Sequence, residues 1–168
     1  MHRAAVVPFL FTMAMAVLSA GCGPAIDVTK GVQVDAVSTG WVNAGMVDGK
    51  HKVVPAVSFT LKNVSDRRLP ALQVNAVFRR VNETSEWDAG FRPVAGSEGF
   101  APGAARPLTI AAQLGYTGLE PAEGLLRHSQ FVDATVDVFA RYGSNQWARL
   151  GEYPVARQLL QSSKVLRF

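Results

Sequence analysis

Cysteine is almost missing from this 168-residue chain, which holds one, Cys22. A lone thiol excludes any internal disulfide, and with it the stapled scaffolds common among small exported domains. It also excludes a CxxC zinc site. Histidine is nearly as scarce: of three, only His51 and His128 follow Cys22. The sequence has no HExxH, no His-rich tract, no Gly-x-Ser-x-Gly elbow and no phosphate-cradling glycine loop, so the compact signatures of metal, hydrolytic and nucleotide chemistry are absent. Charge of one sign is also in short supply. The net charge is +4, and beyond residue 21 it is 16 basic against 13 acidic residues. Arg67-Arg68, Arg79-Arg80 and Arg157 are interspersed with acids, whereas a nucleic-acid partner calls for basic residues massed on one face. There is one long apolar run, residues 4–17, and as a helix it would span about 21 Å, short of the roughly 30 Å hydrocarbon core.

That run is better explained as part of an export signal. Met1-His2-Arg3 is a short positive start, residues 4–17 are uncharged and apolar, and small residues precede Cys22, which is the anatomy of a signal peptide. The stretch Leu18-Ser19-Ala20-Gly21-Cys22 resembles the lipobox of bacterial lipoprotein precursors. The resemblance implies that the Cys22 sulfur receives a diacylglycerol, that cleavage falls just before it, and that the freed amine is acylated. A thiolate suits this role because it is the side-chain nucleophile most readily alkylated near neutral pH. One acyl chain binds reversibly and two or more anchor stably, at about 0.8 kcal/mol per buried CH₂. Gly23 follows the cysteine in place of Asp, which resembles lipoproteins of Gram-negative cells sent on to the outer membrane, facing the periplasm. The expected organisation is a signal peptide over 1–21, a lipidated tether over 22–25, a folded domain over 26–156 and a tail over 157–168.

The 147 residues from Cys22 onward suffice for one core without covalent staples. Hydrophobic residues make up 48% and charged residues 18% of the chain, a globular balance. Fifteen Gly and nine Pro among many Val and Thr favour short strands and turns. Period-two alternation marks the strands. In "GVQVDAVSTGW", Val32, Val34 and Ala36 oppose Gln33 and Asp35; in "VPAVSFTLKN", Val57, Phe59 and Leu61 oppose Ser58, Thr60 and Lys62, with Pro55 suggesting a bulge or an edge. "ALQVNAVFRR" alternates through Leu72, Val74, Ala76 and Phe78, and is expected to pair with the preceding strand. "SEWDAGFRPV" is a weaker strand broken by Gly90, "PLTIAAQ" a short one, and "FVDATVDVFARYG" the clearest, running through a "GSN" hairpin into "QWARLGEYPV". "PAEGLLRH" predicts two helical turns opened by Pro121. Seven or so short strands, one short helix and no βαβ rhythm predict an all-β, antiparallel immunoglobulin-like β-sandwich. The stretch "VSFTLKNVSDRRLPALQVNAVFRR", 24 residues, resembles FxLYD-type and related immunoglobulin-like domains of bacterial lipoproteins, which implies the same fold.

Candidate chemistry is sparse. Asp133 and Asp137 would share a strand face about 13 Å apart, too far for one ion, and are expected to be solvated. No metal, cofactor or catalytic residue is expected, and a lipidated Cys22 cannot act as a thiol nucleophile. Aromatic residues offer more. Trp41, Trp87 and Trp147 fall near strand ends, as core residues or as a stacking platform, while alternation places Phe139 and Val77 on outward faces. The resulting expectation is a non-catalytic, lipid-anchored envelope protein that binds a protein partner through a sheet edge or end loops, with Trp87, Phe139 and Trp147 as candidate contacts. The alternative is a glycan- or small-ligand module built on Trp87 and Trp147.

Overall fold

The computed structural model describes residues 27–160; the expected signal peptide, Cys22, the expected tether and residues 161–168 lie outside the described residues. The chain runs α1 (Val28–Gly31), β1 (Val32–Val47), β2 (Lys50–Asn63), β3 (Leu72–Arg80), β4 (Asp88–Pro93), β5 (Ala105–Ala111), β6 (Tyr116–Gly118), α2 (Ala122–Arg127), β7 (Ala134–Tyr142) and β8 (Ala148–Pro154). All pairings between these strands are antiparallel. One sheet has the order β1-β2-β5, with β6 also on β2; the other has the order β4-β3-β7-β8. The chain crosses between sheets at β2→β3, β4→β5 and again before β7, the Greek-key wiring of immunoglobulin-like sandwiches.

The alternating strands dictate the core. Val53, Val57, Phe59 and Leu61 of β2 face Leu72, Val74, Ala76 and Phe78 of β3 and Val136, Val138 and Ala140 of β7 in one buried cluster. Gly90, read from sequence as an interruption, marks a close approach of the sheets: a Cβ there would lie 2.3 Å from Ile110 Cγ2.

Several expectations are corrected. β2 and β3 do not pair; they belong to opposite sheets, because alternation specifies a buried face and not the neighbour that supplies the other half of the core. Among the described residues, eight strands and two short helices form where seven or so and one were expected. The β1 alternation breaks at a bulge between Asp35 and Ser38, where Ala36 adopts φ +51° and turns outward. Pro55 makes neither edge nor bulge: it is buried in β2, opposite Trp41. Trp41 directs its own N–H and C=O away from β2, to Gln158 O (2.8 Å) and Leu160 N (2.9 Å), so Pro55 also faces away from β1. On that side β6 ends its pairing at Val53 and β5 begins at Ala56. The missing proline N–H falls in the gap between two partners, and the ladder loses nothing.

Candidate functional site

Two aromatic assemblies stand out, and they occupy different places. The first lies on the outer face of the β4-β3-β7-β8 sheet. Register sets Phe91, Asn75, Phe139 and Arg149 in one row across β4, β3, β7 and β8, and Pro93, Gln73 and Arg141 in the next. Trp147, in the loop before β8, lies under the Arg141 guanidinium at 4.6 Å and meets the Phe91 ring edge-on, 6.3 Å away at 88°. Phe91 is 47% exposed, and Phe139 and Trp147 are half-buried. Val77, on the same face, is 6% exposed; it supports the patch and does not present to solvent as alternation alone suggested.

The cations on this face are held in place. Arg141 Nε donates to Gln73 Oε1 at 2.8 Å. Asp137 is buried and accepts from Arg79 and from Arg149 Nε, the latter at 2.6 Å, while Arg149 also pairs with Glu152 at 2.5 Å. Bonding first to Asp137 and then to Glu152 raises the Arg149 pKa above its ordinary value. The expectation of two solvated aspartates sharing a strand is therefore corrected for the shared strand and for Asp137, while the Asp133 side chain stays 46% exposed. Asp137 is enclosed by two arginines, and Asp133 precedes β7 and pairs with Arg157, Nε to Oδ1 at 2.5 Å.

The second assembly is at the end of the sandwich where β1 turns into β2. Trp41, fully buried, meets Phe131 edge-on at 4.6 Å and lies 5.7 Å from Tyr116 and 6.3 Å from Trp87. Arg80 and Arg157 cover Trp87 and Phe131 at 5.6 and 5.1 Å. Among the described residues, Trp41 Nε1 is the buried side-chain polar atom with no hydrogen-bond partner; its surroundings are ring faces and edges. Burial raises the Tyr116 phenol above its ordinary pKa, against the opposing effect of Arg80. Beside these rings opens a cavity of about 480 Å³ lined by Tyr116, Leu119, Leu125, His128, Gln130 and Phe131, among others. His128 Nδ1 accepts from the Gln130 amide at 3.2 Å, and no carboxylate among the described residues bonds to it. No three His, Cys, Asp or Glu side chains among the described residues converge where a metal ion could sit.

The structure thus brings Phe139 and Trp147 onto one face and adds Phe91, while Trp87 joins the other ring cluster. A platform combining Trp87 with Trp147 does not form. Phe91 was missed because it follows Gly90 in a weak strand; its two-residue spacing from Ala89 and Pro93 was the available signal.

No protein-family model matches the chain, and no curated protein matches it. Among solved structures, the X-ray structure of the Northeast Structural Genomics Consortium target SoR45 is similar at 15% identity, with a TM-score of 0.43, over 84% of this chain and 94% of that one. The ligand binding region of Serine-glutamate repeat protein A of Enterococcus faecium is similar at 14% identity, with a TM-score of 0.29, over 70% and 90%.

Proposed function

We propose that this chain is a lipid-anchored envelope lipoprotein, held by a glyceride on Cys22, whose sandwich binds a protein partner without catalysis through the outer face of its β4-β3-β7-β8 sheet. In a Gram-negative cell it would face the periplasm from the outer membrane. The observation that carries the binding reading is the accessible Phe91, Phe139 and Trp147 cluster set among arginines already fixed by Asp137, Glu152 and Gln73. Rigid aromatic groups and Arg are the residue types that anchor interfaces, and side chains ordered before binding lose less entropy on association. The cations suit a partner surface that offers carboxylates around an apolar centre.

A second reading, a module for a small ligand or glycan, is favoured by one observation: the open cavity floored by Tyr116 and Phe131. The two separate by position. A photo-crosslinking side chain at position 139 of the anchored protein is expected to give one discrete adduct in intact membranes, lost with Trp147→Ala. Saturable binding of an isolated wall polymer or sugar that is weakened by Tyr116→Ala, with no adduct at 139, would replace the first reading by the second.

A further inference from the structure

We propose that the end of the sandwich nearest Cys22 is a docking surface for anionic phospholipid headgroups, so that the domain stands on the bilayer and does not merely hang from it. The inference rests on the lipid-anchor reading and adds to it an orientation and a lipid class.

Chain geometry selects the end. Five peptide steps separate Cys22 from Asp27, the first described residue, so the domain begins within about 18 Å of the sulfur-bearing residue. Asp27 leads into α1 and then into the start of β1, where Val32 pairs with Asn63. β1 runs 16 residues from there, placing the cavity end about 50 Å away. Only the first end is within reach of the membrane surface by tether length.

That end gathers positive charge. The loop after β2 packs on α1 through Val64 N and Ser65 N, which donate to Gly31 O. Asn63 Nδ2 bonds the Arg67 and Phe100 carbonyls at 2.8 Å, and Arg68 Nη1 donates to Glu98 O at 3.1 Å. Lys30 lies in α1, Lys62 one residue before Asn63, and Arg67 and Arg68 in the bonded loop. Arg106 stands opposite Leu61 with its guanidinium donating to Val94 O, so five basic residues share this end. Their acidic neighbours are Asp27, Asp35, Asp66 and Glu98. Three of these are already engaged: Asp27 accepts from Thr29 and pairs with Lys30 at 3.8 Å, Asp35 accepts from Gln33 Nε2 at 2.7 Å, and Glu98 accepts from Gly96 N at 2.9 Å. The Asp27 and Glu98 carboxyls lie below their ordinary pKa, from bonds to Thr29 and to the Gly96 amide respectively. Among the cations stands Val64, an apolar side chain 46% exposed. The opposite end sets Asp48, Glu83, Glu86, Glu120, Glu123 and Asp133 among Lys50, Lys52, Arg80, Arg127 and Arg157, a slight acidic excess. Each basic residue near an anionic surface adds an attraction that fades within a Debye length. A charge-polarised domain on a short tether therefore presents its basic end.

The test uses the lipidated protein, whose Cys22 thiol is occupied, so that Val64→Cys provides the single site for a polarity-sensitive dye. In vesicles rich in phosphatidylglycerol, dye emission is expected to shift to the blue and rise roughly two-fold over phosphatidylcholine vesicles, and to revert at about 1 M salt, where the screening length is about 3 Å. Arg67→Glu combined with Arg68→Glu abolishes the response, and the same dye at Leu119→Cys, on the cavity end, does not respond. Equal emission in both vesicles at position 64, or a response at 119 in its place, would overturn the proposal. Should Cys22 prove unlipidated, the anchor reading fails by itself. The docking surface is then still read by adding the Cys22→Ser, Val64→Cys chain to phosphatidylglycerol vesicles at low salt, where no emission change refutes it.

Discussion

Asn63 shows how much one buried amide can organise. It is fully buried, donates to the Arg67 and Phe100 carbonyls, and accepts from Ser65 N at 3.0 Å and Ser65 Oγ at 2.7 Å. All four bonding positions of the amide are used, so the loop 64–70 and the loop around Phe100 are tied to the end of β2. Asn63→Ala is expected to cost about 2–3 kcal/mol, since the Arg67 and Phe100 carbonyls each lose one of two donors and the Ser65 amide and hydroxyl each lose an acceptor; a lower urea midpoint with an unchanged m-value checks it. Tyr116 gives a pH dependence. Its folded pKa is raised, so the unfolded phenol ionises first, near pH 10. Stability from this group is fully present below pH 10 and is lost as pH rises toward the folded pKa. Melting temperature should therefore fall more steeply above pH 10 in the natural chain than in Tyr116→Phe. In the sequence, Asn63 reads only as a turn former, because the partner that ties it to a second loop, the Phe100 carbonyl, lies 37 residues away. Asp137 likewise takes its outward face from alternation, but Arg79 is brought to it by pairing across 58 residues.

At the scale of elements, the edge of β1 is the most informative. After β8, residues 158–160 return to the first sheet and pair in parallel with β1, Trp41 opposite Leu159. Leu160 then covers Val42, Val54 and Ala56 on the outer side of that sheet. The approach needs a glycine: a Cβ on Gly40 would sit 2.7 Å from Gln158 O and 2.9 Å from Leu160 Cγ. Gly40→Ala should displace this segment at a cost of about 1–3 kcal/mol, with amide exchange at Trp41 and Leu160 accelerated well beyond that at Val74 in the core. The covered edge also makes pairing of a foreign strand at this part of β1 less accessible than docking on the open sheet face. Alternation was enough to locate β2, β3 and β7, and Pro121 with the following apolar residues located α2. It was silent on sheet membership, and residues 158–160 show no periodic pattern, since their pairing comes from β1.

Across the whole molecule, three features align along one axis: the N-terminal approach and basic loops at one end, the aromatic face on the side, and the cavity at the far end. The sandwich class was legible from its strands, turn residues and lack of disulfides. The two ring clusters were not, because whether Trp87 sits with Trp41 or with Trp147 depends on how two sheets close over each other. Every functional step assumes that residue 22 fixes the protein to lipid, and intact-mass and N-terminal peptide mass spectrometry of protein extracted from its own membranes tests this directly. The account predicts a mature chain beginning at Cys22 and carrying a thioether-linked diacylglycerol, converted by Cys22→Ser to an unacylated form released from the membrane. A chain that retains Met1, or one with a free thiol at Cys22, would contradict it.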